Sequence, residues 1–137
     1  MLNAFTEPFH VFGFYAAINA LLMLVLSVLV VRARVKTQTL IGDGGKPAMA
    51  GPLRAHANNT EYVPMALLLL FMLLGLQADV GVIHAVGGTL TLGRLLHAFG
   101  LTRSVGASWP RLVGMILTWI SFIIGIAAVL WLALAGG

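Results

Sequence analysis

Long apolar runs, separated by short polar segments, dominate the hydrophobic pattern of this chain. Four of the runs are long enough to cross a hydrocarbon core of about 30 Å as helices that rise about 1.5 Å per residue. These predicted spans cover residues 9–31, 53–76, 80–100 and 112–135. The pattern therefore predicts an all-α integral membrane protein, in which residues 1–137 form a single domain built as a four-helix transmembrane bundle.

The connections between the spans differ in length and charge. A very short turn at residues 77–79 joins spans two and three, whereas longer, turn-rich segments follow spans one and three. All lysines and arginines lie in or near those two longer segments, at positions 32, 34, 36, 46, 54, 94, 103 and 111. The positive-inside rule therefore predicts that both longer segments are cytoplasmic. Both termini are then expected on the opposite side of the membrane, which is the inner membrane if the protein is bacterial.

Composition excludes several classes of protein. Only 9% of the residues are charged, against roughly 25% in an average soluble domain. The formal net charge of +4 does not indicate nucleic-acid binding, because the basic residues flank apolar spans and form no patch interleaved with aromatic residues. The chain has no cysteine and no metal-binding motif, so we expect no disulfide and no metal site. Any thiol chemistry would need a thiol supplied by a second substrate.

Residues 54–64 bring several polar groups into the otherwise apolar second span. At about 100° per residue, Arg54, Asn58 and Glu61 fall on one face of the helix. Pro64 removes one backbone hydrogen bond, and a kink is expected near this face. Charged groups at membrane depth are costly and indicate a functional site by default.

Two further spans contribute polar groups at the same side of the membrane. Arg94 lies about two turns inside span three, His97 follows it by nearly one turn, and Arg111 opens span four. Arginines bind carboxylates in a bidentate manner, and Glu61 can bind an ammonium group or balance an arginine. Together these residues predict a pocket for a compact ligand that carries several carboxylates and one amine.

Each of these residues also has a purely structural interpretation. The arginines and Glu61 could form an ion-pair network that fixes helix register, and Tyr62 could be an interfacial residue. His97 could pack at the rim, and His84 is expected to be a satisfied core histidine. Asn19 is expected to form an interhelical hydrogen bond. Small-residue pairs predict close helix packing at Gly13/Ala17, Ala16/Ala20, Gly114/Thr118 and Ser121/Gly125.

Two motifs resemble those of the MAPEG family, the membrane-associated proteins in eicosanoid and glutathione metabolism. Residues 54–64 read RAHANNTEYVP and resemble the family signature, and GRLLH at 93–97 resembles the third-span motif. The glycine-rich loop at 42–45 and the RLVGM sequence at 111–115 are most similar to a small bacterial branch. The resemblance covers nearly the whole chain. It implies a homotrimer of four-helix subunits that binds glutathione between neighbouring subunits near the cytoplasmic face.

The resemblance also implies roles for individual residues. The positions that match glutathione contacts are Arg54, Asn58, Glu61, Tyr62, Arg94, His97 and a span-one arginine, Arg34 or its rival Arg32. The arginine that stabilises the thiolate in the synthase members is best matched by Arg111, with Arg103 as the rival. The chain departs from the family at Leu101, where the eukaryotic synthases commonly have tyrosine, and in the length of the loop before Arg111.

Three functions are compatible with these observations. The leading hypothesis is a glutathione transferase or peroxidase that uses glutathione as cosubstrate and acts on lipophilic electrophiles dissolved in the membrane. The first alternative is a non-catalytic lipid-binding or scaffold protein on the same fold. The second alternative is a small four-span transporter, for which Glu61 is the candidate membrane-embedded carboxylate. The expected partners are other copies of the chain, lipids and lipophilic small molecules, and not nucleic acid.

Overall fold

The computed structural model describes residues 5–104 and 106–136, and its regular structure there consists of helices. Four long α-helices follow one another: α1 (Pro8–Thr37), α2 (Pro47–Gly75), α3 (Val80–Arg103) and α4 (Trp109–Ala135). The all-helical fold with four helices is confirmed. The homotrimer stays a prediction.

The helices are longer than the apolar spans predicted from the sequence. α1 continues to Thr37, so that Arg34 lies in its last turn, where a cation interacts favourably with the helix dipole. α2 begins at Pro47, ahead of the predicted span 53–76, and Pro52 lies inside the helix. Prolines occupy the first turns of α1, α2 and α4, where the missing N–H would have no intrahelical partner anyway.

Three of the helices, α1, α2 and α4, are long and apolar enough to cross a membrane, as judged over the described residues by length and composition. α3 does not meet this criterion, although its 24 residues span about 36 Å. The polar residues of α3 lower its mean hydropathy, and the structure shows where two of them are buried. α3 contacts each of the other three helices, and Arg94 and His97 are buried among them.

The helices alternate in direction. Hydrogen bonds pair α1 with α3 in ascending order along both helices, Tyr15 with His84 and Asn19 with Thr91. The pairs between α3 and α4 run in the opposite sense, Arg94 with Thr118 and Val86 with Ser121. Residues 38–46, and the described residues between α3 and α4 (104 and 106–108), therefore lie at one end of the bundle, called the loop end below. The α2–α3 turn and the described residues nearest both termini lie at the other end.

Close packing between α3 and α4 depends on glycine. A Cβ atom at Gly93 would lie 2.8 Å from the carbonyl oxygen of Gly114, so these two backbones touch directly. This confirms that the Gly114/Thr118 pair mediates close packing. The Gly13/Ala17 pair differs, because Gly13 has no heavy atom within 4 Å of its Cβ position and makes no such contact within the subunit.

The two polar residues predicted to serve the fold do so. Asn19 is fully buried, and its Nδ2 donates to Thr91 Oγ1 at 2.8 Å, which confirms the predicted interhelical hydrogen bond. His84 is half-buried and has a partner on each ring nitrogen: the Tyr15 hydroxyl at 3.0 Å and the Phe5 carbonyl at 2.9 Å. Both hydrogen-bonding positions of His84 are therefore occupied within the subunit, at the end of the bundle opposite the candidate site.

Candidate functional site

The guanidinium of Arg94 is fully enclosed within the subunit. Its Nη2 donates to Asn58 Oδ1 at 2.8 Å and lies 2.9 Å from His97 Nδ1, while Nη1 lies 3.5 Å from Thr118 Oγ1. All three partners are neutral. Enclosing a cation without a directly bonded carboxylate is costly. At this cost, Arg94 positions Asn58 and His97, two residues that line the cavities described below.

The contact with Arg94 fixes the protonation pattern of His97. A guanidinium only donates hydrogen bonds, so Nδ1 of His97 must be the acceptor and carries no proton. The proton of the neutral ring is then on Nε2, on the side of the ring away from Arg94. His97 consequently offers a ligand a hydrogen-bond donor and not a general base.

A chain of polar contacts leads from Arg94 to the surface of α2. The Nδ2 atom of Asn58 donates to Glu61 Oε2 at 3.4 Å, and Glu61 Oε1 lies 3.8 Å from Arg54 Nη1. These contacts confirm that Arg54, Asn58 and Glu61 share one helix face. The side chains of Arg54 and Glu61 are 62% and 52% exposed, so the ion pair itself contributes little stability in a single subunit.

Tyr62 of α2 packs against α4, and its ring also contacts the Arg94 guanidinium. Its ring centroid lies 5.7 Å from Arg94 Cζ, within the range of a cation–π interaction. The same ring meets Phe122 edge-to-face, with centroids 6.0 Å apart. Tyr62 thus contacts the buried part of the cluster, whereas Arg54 and Glu61 form its outer part.

Two cavities at the loop end share His97 and Arg111. The smaller, about 150 Å³, is lined by four polar residues, Arg54, Asn58, His97 and Arg111, and by two apolar ones, Ala50 and Leu101, and is called the polar cavity below. The larger, about 390 Å³, is mainly apolar and is lined by His97, Ala107, Ser108, Arg111, Leu112, Met115 and Trp119. A polar compartment therefore adjoins an apolar one, with a histidine and an arginine at their boundary.

Arg111 reaches this boundary because Gly100 makes room for it. A Cβ atom at Gly100 would lie 2.7 Å from Arg111 Cγ, so the arginine stem lies directly against α3. Nη1 of Arg111 donates to the carbonyl of Gly106 in the preceding loop. Arg111 is thereby held at the start of α4, beside the cluster built by α2 and α3.

The remaining predicted arginines lie elsewhere in the subunit. Arg103 is exposed and stacks over the ring of Phe99, with Cζ 4.5 Å from the centroid. Arg34 donates to carbonyls of the α1–α2 loop, and Arg32 is exposed on α1. One subunit thus brings together Arg54, Asn58, Glu61, Tyr62, Arg94, His97 and Arg111, but not Arg34, Arg32 or Arg103. The ligand-binding roles of all these residues stay predictions.

Comparison with known proteins agrees with this architecture. The model of the MAPEG family matches residues 12–131. The chain belongs to the MAPEG family. Two similar relatives of this MAPEG protein are the inner membrane proteins YecN of Escherichia coli K12 and of Escherichia coli O6:H1 strain CFT073. Each is 34% identical over 117 residues, which cover 85% of this chain and 88% of the relative. No solved structure matches the chain significantly.

Family membership makes this MAPEG protein an integral membrane protein of a family that acts in eicosanoid and glutathione metabolism. Sequence reasoning missed several residues around the site. Thr118 was assigned to helix packing, yet it also lies beside the Arg94 guanidinium. Met115 and Trp119 line the apolar cavity, and their one-turn spacing on α4 was the available signal.

Proposed function

We propose that this protein binds glutathione and uses its thiolate to conjugate or reduce lipophilic electrophiles dissolved in the membrane. The observation that carries the proposal is the position of His97 and Arg111, where the polar cavity meets the apolar one. Arg54 and Asn58 provide donors for the carboxylates of glutathione on the polar side. Glu61, next to them, accepts from its ammonium group. The apolar side receives the second substrate from the bilayer.

The residues at the boundary favour the reactive form of the thiol. A free thiol has a pKa of about 8.5, so little thiolate is present at neutral pH. A guanidinium within about 4–6 Å stabilises the thiolate, and each unit of lowered thiol pKa is worth about 1.4 kcal/mol. Arg111 supplies this positive charge, and the Nε2–H of His97 donates a hydrogen bond to the sulfur. In conjugation, a C–S bond forms and the leaving group departs with the bonding electron pair.

A second subunit completes the site in this proposal. The polar cavity of about 150 Å³ is smaller than the roughly 300–1,000 Å³ of ordinary small-molecule sites. Arg54 and Glu61 stay exposed in the single subunit, on a helix face that lies within a membrane span. Both facts fit a homotrimer in which glutathione lies between neighbouring subunits and a span-one arginine, Arg34 or Arg32, comes from the adjacent copy.

The orientation in the membrane follows from the same proposal. The basic residues gather at the loop end, which we place in the cytoplasm, with both termini on the opposite side. The polar cavity then opens towards the compartment where glutathione is abundant. A bacterial cell would carry the protein in its inner membrane, as the names of the two relatives state for them.

Two measurements on purified protein test the proposed function. We expect isothermal titration calorimetry in detergent to show saturable binding of glutathione and of S-methylglutathione, since both carry the same carboxylates and amine. With an aryl halide, only glutathione can form a thioether, because the methylated sulfur has no ionisable proton. A folded, homogeneous protein that neither binds glutathione nor forms the conjugate contradicts the proposal.

The proton position on His97 gives a sharper prediction. His97→Gln keeps a donor near the position of Nε2, whereas His97→Asn places its amide near Nδ1 and loses that donor. We expect His97→Gln to keep kcat for conjugation within about tenfold of the parent, and His97→Asn to lower it by about 10²-fold, a typical loss for one oriented donor. The opposite ranking would contradict the assignment of His97 as a donor.

One observation favours the first alternative function. Leu101 lines the polar cavity at the position where synthase members commonly have tyrosine, so one wall of the cavity is apolar. A lipid-binding or scaffold protein on the MAPEG fold would show no heat with glutathione, while a lipid ligand raised its melting temperature.

The transporter alternative depends on Glu61. Its carboxylate is already in contact with Arg54 and Asn58, which is a poor arrangement for a proton carrier. Proton-coupled efflux from vesicles that Glu61→Gln abolishes would favour this function over the other two.

A further inference from the structure

Two branched apolar side chains stand out from the loop that joins α1 to α2. Leu40 and Ile41 are 92% and 89% exposed, and they lie beyond the basic residues that end the first apolar span. Apolar residues inside a span face lipid tails, but these two would face water if the loop stood clear of the bilayer. We propose that Leu40 and Ile41 insert into the headgroup layer of the membrane, where the neighbouring cations bind anionic phospholipid.

The loop is ordered before any partner binds. Nη1 of Arg34 donates to the carbonyls of Thr39, Leu40 and Gly42, at 3.3, 3.1 and 3.1 Å. Thr39 is buried, so the backbone on the near side of the apolar pair is anchored to the bundle. Leu40 and Ile41 are therefore held outwards on a fixed backbone, and inserting them requires little further ordering of the chain.

The length of α1 brings the start of this loop to the outer edge of the headgroup layer. The predicted apolar span ends at residue 31, and α1 continues to Thr37, about 9 Å further at 1.5 Å per residue. A bilayer of about 30 Å hydrocarbon thickness measures about 40–45 Å with its headgroups. The last turns of α1 thus cross the headgroup layer. A loop that starts there can direct Leu40 and Ile41 back to the edge of the acyl chains.

Charge around the pair identifies the lipid. Four basic residues and one acidic residue lie between positions 32 and 46, and Arg32, Lys36 and Lys46 are exposed. A cavity of about 390 Å³ beside the pair is lined by Arg34, Val35, Gln38, Thr39 and Leu40. It combines a cation with apolar walls, as the junction between a phosphate headgroup and its acyl chains requires. These features favour an anionic phospholipid over a second copy of this cationic segment.

The chain has no cysteine, so one introduced cysteine carries a single spin label. The test uses Ile41→Cys, with Asp43→Cys as the control in the same loop and Val28→Cys as the reference inside the α1 span. Each labelled protein is placed in nanodiscs of phosphatidylcholine, with or without phosphatidylglycerol. Power saturation then compares the accessibility of the label to oxygen, which partitions into lipid, and to a nickel chelate, which stays in water.

With phosphatidylglycerol present, we expect the label at Asp43 to be accessible to nickel. We expect the label at position 41 to be less accessible to nickel and more accessible to oxygen, which indicates a depth between those of Asp43 and Val28. Removing phosphatidylglycerol should move position 41 towards the value at Asp43. Lys36→Gln, added to the protein labelled at position 41, should lower the ratio of membrane-inserted to water-exposed label about fivefold. This factor corresponds to ~1 kcal/mol per basic residue at the membrane surface.

Three outcomes would overturn the inference. Equal nickel accessibility at positions 41 and 43 in both membranes would show that the loop stands in water. Shielding of position 41 from both reagents would show that protein covers it, as in contact with a second copy. Immersion that responds neither to phosphatidylglycerol nor to Lys36→Gln would remove the anionic lipid as the partner. None of these results depends on glutathione binding.

Discussion

Gly114→Ala is expected to destabilise the subunit and to disrupt the candidate site, although alanine is the better helix former. Its Cβ would lie 2.5 Å from the backbone nitrogen of His97 and 2.7 Å from the carbonyl oxygen of Gly93. Both are backbone atoms of α3 and cannot rotate away, so α4 must move. Overpacking of this kind typically costs 1–3 kcal/mol, which exceeds the gain of about 1 kcal/mol in helix propensity. His97 on α3 and Arg111 on α4 should then no longer meet at the boundary of the two cavities.

Gly125→Ala is the matched control, with the same substitution on the same helix. The nearest heavy atom to its Cβ position is 3.6 Å away, an ordinary van der Waals distance. We expect its melting temperature in detergent to equal or exceed that of the parent, and that of Gly114→Ala to fall. Glutathione affinity should fall in Gly114→Ala alone. Equal melting temperatures for the two variants would contradict the direct backbone contact between α3 and α4.

Helical periodicity explains why so much of the α2 contribution could be predicted. Arg54, Asn58 and Glu61 are separated by one or two helical turns, so a single helix of known period places them on one face. Their contacts in the structure agree with that placement. Asn19 followed from a second rule, since an amide inside an apolar span needs a polar partner.

The identity of the residues that meet across two helices was beyond this kind of prediction. Spacing along α3 placed Arg94 near His97, but nothing in the sequence indicated that Thr118 of α4 would lie beside the same guanidinium. The enclosure of Arg94 depends on how three helices pack, and a linear pattern does not specify that packing. The contacts of Arg34 with the α1–α2 loop show the same limit. Its partners there are backbone carbonyls, which every residue has, so the sequence could not indicate them.

The third span shows where a residue-by-residue hydropathy argument is weakest. α3 packs against each of the other three helices. Arg94 and His97 have polar partners at those contacts, while exposed neighbours on this helix, such as Leu92 and Leu95, are apolar. Mean hydropathy counts these buried polar groups against membrane insertion. The same two groups belong to the candidate site, so the helix that looks least suited to the membrane contributes Arg94 and His97 to it.

Arg111→Ala is expected to produce the largest loss of catalytic activity if the protein is a glutathione transferase. Arg111 lines both cavities, so it provides a positive charge at the boundary where thiol and electrophile would meet. Losing one to two units of thiol acidity corresponds to about 1.4–2.8 kcal/mol and a 10- to 100-fold lower thiolate population near neutral pH. Glutathione affinity should change less, because Arg54 and Asn58 remain in the polar cavity to bind the carboxylates.

Arg103→Ala tests the rival assignment with the same change in charge. Arg103 is exposed and stacks on Phe99, and we expect its removal to leave kcat for conjugation close to that of the parent. The decisive measurement is the pH dependence of the conjugation rate. In Arg111→Ala the rate should reach its plateau at higher pH, as the thiol of bound glutathione ionises later, and in Arg103→Ala the profile should not move. A shifted profile in Arg103→Ala with an unchanged one in Arg111→Ala would assign thiolate stabilisation to Arg103. It would also imply that the end of α3 moves Arg103 into the site when neighbouring subunits assemble.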